Sequence, residues 1–181
     1  MRQSLMHIRR GYGLKSNSMN MKFIYGIIIN LLFISQAFCQ TSVTKIILEN
    51  GIMLTGTIST FEKSKHTYDT CGSEFNWKYI CLIDGKQWYG TDHDLTLPRN
   101  QLTQLTINIH GKEISLETTG MFNISPDNNL PSRKFHLSKN GEDYLLQGIF
   151  SDGAGTYIVQ WKIIRNTSQR IKISNNEADF D

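Results

Sequence analysis

Leu102-Thr-Gln-Leu-Thr-Ile-Asn-Ile109, followed by His110-Gly111 and then Glu113-Ile-Ser-Leu-Glu117, is the stretch that decides the fold class. Leu105, Ile107 and Ile109 alternate with polar residues before the turn, and Ile114 and Leu116 do so after it. Successive side chains of a strand point to opposite faces, so this period of two predicts a pair of half-buried strands. His110-Gly111 between them supplies the two turn residues, with glycine free to take positive φ. The stretch reads as a β-hairpin.

The same grammar extends outward in both directions. Val43–Glu49 leads through Asn50-Gly51 into Ile52–Ile58, and Trp77–Ile83 leads through Asp84-Gly85 into Lys86–Tyr89. Downstream, Arg133–Leu137 reaches Asn140-Gly141, Asp143–Phe150 runs to Ser151–Gly155, and Tyr157–Ile164 is followed by Gln169–Ile173. Asn-Gly and Asp-Gly between apolar runs are strong hairpin signals, because their residues tolerate positive φ. No helical apolar period is sustained over 11–18 residues outside the leader. Ser59–Glu74 and Gly120–Ser132 lack strand character and read as loops or short helices. The expected fold is all-β, an antiparallel meander forming a sandwich or barrel-like single domain over 40–175, with a frayed tail at 176–181.

Phe23–Ile34 is a short apolar run preceded by Lys22 and followed by Ser35-Gln-Ala-Phe-Cys-Gln40. These are the parts of a secretory signal peptide, and a membrane span needs roughly 20 apolar residues without an interruption such as Asn30. The expected cleavage lies near Gln40, making 1–39 the leader and the mature protein periplasmic or secreted. Met19 and Met21 are alternative starts, which would leave 1–18 upstream of the natural chain. The whole sequence carries 19 basic and 16 acidic residues, for a net charge of +3. Arg2, Arg9, Arg10, Lys15 and Lys22 all fall in the leader, and 19 less 5 leaves 14 basic against 16 acidic residues beyond it. A weakly acidic mature chain without a basic block excludes nucleic acid as the expected partner.

Three cysteines are present, and Cys39 lies at the cleavage site. Cys71 and Cys81 are then most simply read as one disulfide in an exported protein. A cut after Ala37 would leave Cys39 on the mature chain, and lipid attachment to Cys39 meets the obstacle of bulky Phe38 before it. A zinc pair is disfavoured, because no second Cys or His pair stands at ligand spacing.

Chemistry-bearing motifs are sparse. Asp92-His93-Asp94 is the densest polar cluster, but a Ca²⁺ loop needs more oxygen ligands than Leu95-Thr-Leu-Pro98 supplies. Ser151-Asp-Gly-Ala-Gly155 is glycine-rich, yet strand rather than helix follows it, which removes the helix N-terminus that phosphate cradles use. Gly-x-Ser-x-Gly is absent, and Glu113 and Glu117 on one strand face would stand about 13 Å apart, too wide for a retaining glycosidase pair. Neither a metal, a cofactor nor a catalytic residue is expected. Trp88 and Tyr89 are adjacent, so the pleat sends them to opposite faces and exposes one unless both faces are covered.

Cys81-Leu-Ile-Asp-Gly-Lys86, Tyr89-Gly-Thr-Asp92, Leu97-Pro98, Gly120-Met-Phe-Asn123 and Gly148-Ile-Phe-Ser-Asp-Gly-Ala-Gly-Thr-Tyr157, with Trp161, resemble a group of small exported β-proteins of Gram-negative bacteria. That group is associated with periplasmic immunity proteins against envelope-directed antibacterial toxins. The resemblance covers about 75–175 and is most specific at Ser151–Tyr157. It implies a non-enzymatic inhibitor whose partner is a cognate toxin, encoded next door, and no stable membrane insertion. The expected contact residues are Trp88, Tyr89, Asp92, His93, Asp94 and Asp152. The competing expectation is a small envelope enzyme or ligand carrier with its site inside a β-barrel, which would need an apolar cavity with a few convergent polar groups.

Overall fold

The structure, a computed structural model, describes residues 40–72, 78–91 and 94–180. The expected leader, Trp77, Asp92 and His93 therefore lie outside the described residues. Residues 39–181 form one compact unit.

The chain is all-β, with three antiparallel sheets. β1 (Thr41–Ile47), β2 (Met53–Thr60), β6 (Asn100–Ile109) and β7 (Lys112–Leu116) form one sheet in the order β1-β2-β6-β7. β8 (Phe135–Asn140), β9 (Asp143–Phe150), β10 (Tyr157–Ile164) and β11 (Thr167–Ser174) form the second, a simple meander. Between β2 and β6 a small sheet is inserted, made of β3 (Tyr68–Cys71), β4 (Tyr79–Ile83) and β5 (Lys86–Gln87).

The hairpin of the decisive stretch forms as its alternation predicts, with Ile107 opposite Ile114 and Leu105 opposite Leu116. His110 and Gly111 take φ of 52° and 83°. Leu102 has the wrong parity to share a face with Leu105, yet both are buried. A bulge resolves this: Thr57 faces Gln104 and Ile58 faces Leu102, so Thr103 is the extra residue and the strand changes parity there.

Both four-stranded sheets contribute to one buried cluster, in which Leu54, Leu105 and Ile107 meet Leu146, Phe150, Tyr157 and Trp161. Phe150 sits between the rings of Tyr157 and Trp161, at centroid distances of 5.5 and 6.2 Å. Aromatics at this spacing add roughly 0.5–1.5 kcal/mol per pair beyond their burial. On the β7–β11 side, Ser168 Oγ donates to the Ser115 carbonyl, and Arg170 donates to the Thr119 carbonyl and pairs with Glu117 at 2.9 Å. Arg170 reaches inward because a second bulge, at Ile171, places it opposite Trp161. Across the molecule, Leu130 packs on Gly56, where an added Cβ would come within 2.5 Å of its side chain.

A second, smaller cluster joins the inserted sheet to the first: Phe61, Ile80, Ile83, Trp88 and Phe122. Cys71 and Cys81 are disulfide-bonded, with Cα atoms 5.7 Å apart. At the other end of the inserted sheet His66 Nδ1 lies 2.7 Å from Asp84 Oδ2, and Asp84 also accepts from the Thr67 amide.

Two sequence expectations are corrected. The segment 59–74 holds the end of β2 and all of β3, because Tyr68–Thr70 is an exposed strand whose order comes from β4 and the disulfide, leaving no apolar alternation to read. The second hairpin stops at Gln87 instead of Tyr89, since Trp88 turns into the small cluster and Tyr89 bridges to Met121. The tail after Asn175 carries a 3₁₀ turn, Glu177–Asp179, with Asn176 accepting from the Ala178 amide and Lys172 paired with Asp179.

Candidate functional site

Both sheets present their short hairpin turns at one end, and the long connections gather at the other. The hairpins around Asn50, His110, Gly141 and Asn166 belong to the first end by strand register. At the second end meet the β9–β10 loop, the inserted sheet, and the segment from Gly120 to Leu130.

Asn123 ties these connections together. Its backbone is left-handed at φ 48°, and its side chain donates to the Gly90 carbonyl at 2.7 Å while accepting from the Arg99 amide at 2.8 Å. Asn100, 3% exposed, donates to the Ser125 carbonyl at 2.9 Å and accepts from the Ile124 amide at 2.7 Å. Two asparagine side chains thus replace the sheet ladder where the strands end, satisfying main-chain groups that burial would otherwise penalise. Among the described residues, no buried side-chain nitrogen or oxygen lacks a hydrogen-bond partner.

The β9–β10 loop is anchored on this knot. The Ser151 amide donates to the Ile124 carbonyl at 2.9 Å, and Lys134 Nζ donates to the Ser151 carbonyl at 3.0 Å. Gly155 lies against Gly90, and a Cβ on it would stand 3.0 Å from the Gly90 carbonyl carbon. Thr156 closes the short turn by donating to the Gly153 carbonyl at 2.9 Å. Tyr157, fully buried, donates its hydroxyl to the Phe122 carbonyl at 2.9 Å, and that burial raises its pKa well above the ordinary tyrosine value. The outcome is a fixed loop with Asp152, Gly153 and Ala154 exposed at its tip. A polar cavity of about 20 Å³ beneath it, between Asp152, Arg99 and Ser125, has room for one water.

The expected contact residues separate into scaffold and surface. Trp88 is 3% exposed and donates its indole N–H to the Ile80 carbonyl at 2.7 Å, so it packs into the core of the inserted sheet. Tyr89 is half-buried, its ring 5.9 Å from that of Tyr157. Both aromatic faces are covered because β5 ends against the segment from Gly120 to Asn123, an outcome the pleat alone does not reveal. Asp94 and Asp152 are exposed. Hydrogen bonds from the Thr96 hydroxyl, at 2.7 Å, and the Thr96 amide, at 2.8 Å, hold the Asp94 carboxyl below its usual pKa. Leu95 beside it is 59% exposed and was not anticipated.

Asn100 and Asn123 were also missed as organisers. Asn123 stood in one of the quoted motifs, but nothing in sequence distinguishes Asn100 from a polar residue at a strand start. The motif pieces around Gly90, Gly120–Asn123 and Ser151–Tyr157, far apart in the chain, converge here.

His66, oriented by Asp84 and stacked on Phe61 at 4.6 Å, lines a cleft of about 260 Å³ with Thr118 and Thr119, but no hydroxyl or thiol among the described residues hydrogen-bonds to it. Among the described residues no group of three or more His, Cys, Asp or Glu side chains is arranged to hold a metal ion, and no helix is long and apolar enough to cross a membrane. No family model, curated protein or solved structure matches the chain.

Proposed function

We propose that the protein is an envelope binding module, an immunity-type inhibitor that occludes the active site of a secreted antibacterial toxin with its loop end. The supporting observation is the preorganised Ser151–Tyr157 loop, held at Ser151, Lys134, Gly155 and Thr156 while Asp152–Ala154 projects. A segment already fixed in its bound shape loses little conformational entropy on association, so more of its contact energy appears as affinity. The disulfide fits an oxidising, extracytoplasmic setting and stiffens the inserted sheet beside that loop. Asp94, Leu95 and Asp152 supply the contact surface, with Asp92 and His93 flanking it in sequence, while Trp88 and Tyr89 act beneath it.

The test is co-expression with the adjacent gene product, directed to the periplasm. Rescue of growth is expected, and rescue should weaken with Asp94→Ala, Leu95→Ala and Asp152→Ala combined. A neighbour that is harmless by itself, or whose toxicity this protein leaves unchanged, sinks the inhibitor reading. Full rescue by the triple variant would move the contact surface elsewhere.

A further inference from the structure

The end opposite the loops has a different chemistry, and it does not depend on the inhibitor reading. The inward-facing register of β7 runs Leu116, Ile114, Lys112, because Ile109 in the core stripe lies opposite Lys112. On β8 it runs Leu137, Lys139, since Lys139 lies opposite Tyr144 and Leu137 opposite the fully buried Leu146. Arg165 follows β10 directly, as the first residue of the β10–β11 turn, at φ 54°. Two strands thus carry a cation at the mouth end of their core-facing stripes, and a turn adds a third beside them. Lysine and arginine tolerate such positions by keeping their stems on apolar surface and their charge in water.

Two adjoining furrows open at this mouth, with volumes of about 530 and 370 Å³, and they share His110, Lys139 and Tyr144. Their floor is core: Ile109 at 7% and Ile52 at 3% exposure, with Leu137 and Tyr144 half-buried. Lys139 Nζ stands 5.7 Å from the Tyr144 ring centroid. Among the described residues Lys112, Lys139 and Arg165 form no ion pair. The carboxylates on the rims are Glu142 in one furrow and Glu49 in the other, against three fixed cations and His110. Volumes of this size on an apolar floor with a few converging polar groups are those of small-ligand sites.

We infer that this mouth binds a single-chain anionic amphiphile, its alkyl chain along the half-buried Leu137 and Tyr144 over the core at Ile52 and Ile109, and its carboxylate or phosphate head on Lys112, Lys139 and Arg165. Apolar floor and cationic rim select for the two halves of one molecule, and neither half alone fills the furrow.

Calorimetric titration of the purified chain with dodecanoate and with dodecyl phosphate, below their micellar concentrations, tests the inference. Saturable binding of at least one, with one molecule per chain, is expected, and the preferred head identifies the ligand class. The triple variant Lys112→Gln, Lys139→Gln, Arg165→Gln alters only exposed side chains and should bind roughly tenfold more weakly or worse, at unchanged circular dichroism. NMR shifts on titration should concentrate at His110 and Tyr144. Absence of saturable binding of both compounds overturns the inference. So do equal affinity for neutral dodecyl glycerol, equal affinity for inorganic phosphate, unaltered binding by the triple variant, or shifts centred on the loop end.

Discussion

The Asn123 side chain bridges Gly90 and Arg99, donating to the first at 2.7 Å and accepting from the second at 2.8 Å, so one amide joins the inserted sheet to the start of β6. Gly90 in turn touches Gly155, which carries that bridge into the exposed loop. The rigidity of the candidate contact surface therefore rests on a half-buried residue outside the loop itself.

Asn123→Ala should leave the Gly90 carbonyl and the Arg99 amide without their partner and place a β-carbon residue at positive φ with no polar compensation. A loss of about 2–4 kcal/mol is expected, from unsatisfied polar groups and backbone strain together. Urea unfolding measures it, and a change below about 0.5 kcal/mol, the range of ordinary surface substitutions, would show that the bridge is dispensable.

Gly90→Ala is a sharper probe of the same junction. A Cβ there would come within 2.6 Å of the Phe122 carbonyl oxygen, at a φ of 91° that L-residues rarely take. Destabilisation by about 3 kcal/mol or more is expected, since the Phe122 carbonyl is held by the Tyr157 hydroxyl and the Gly90 carbonyl by the Asn123 side chain. Gly153→Ala, at the open tip, should cost less because nothing stands near its Cβ position, although φ of 55° still disfavours it. Comparison of the two melting temperatures decides.

Cys81→Ser should destabilise by about 2–5 kcal/mol, the usual range for removing a native bridge. Because Cys81 is the bulged residue of β4, opposite the short β3, loss of the bond should release β3 first. Hydrogen exchange should quicken at Tyr68–Cys71 while the Leu105–Ile107 amides stay protected. Uniform quickening throughout would refute that order.

Acid should loosen the His66 end of the inserted sheet. Hydrogen bonds from His66, then from the Thr67 amide, hold the Asp84 carboxyl below its usual pKa. A depressed carboxylate pKa contributes stability that is present above the unfolded value, about 4, and is lost as pH falls through the folded value. Asp84→Asn should therefore lower the melting temperature at pH 6 and converge with the parent as pH drops below about 4. Asp84 is half-exposed, so the effect is modest. Parallel curves for parent and variant across that window would exclude a role for its ionised form.

Trp88→Ala distinguishes scaffold from contact. Removing a buried tryptophan commonly costs about 3–5 kcal/mol, through lost burial and the cavity left behind. If the proposed inhibition is real, it should fall only in proportion to the unfolded fraction. A variant that stays folded, yet loses the protection proposed above, would return Trp88 to the contact surface.

The period-two pattern of Leu105–Ile109 and Ile114–Leu116, with turn residues at His110-Gly111, was sufficient by itself to fix strand, face and hairpin, because those depend on neighbours in the chain. The same holds for the meander from β8 to β11, whereas the Cys71–Cys81 pairing was read by setting Cys39 in the expected leader and is shown by the fold. What sequence did not disclose depends on partners distant along the chain. Leu102 and Leu105 share a face only because Thr103 bulges against Thr57. Tyr68–Thr70 is a strand only because β4 lies beside it. Trp88 and Tyr89 are both covered because the segment around Phe122 and Met121 returns across them. The loop at Asp152 is rigid because Asn100 and Asn123 satisfy the main chain beneath it, and the cations at Lys112 and Lys139 converge because two separate sheets end at one mouth. Local periodicity records which face of a strand is buried; only the packed fold determines what buries it.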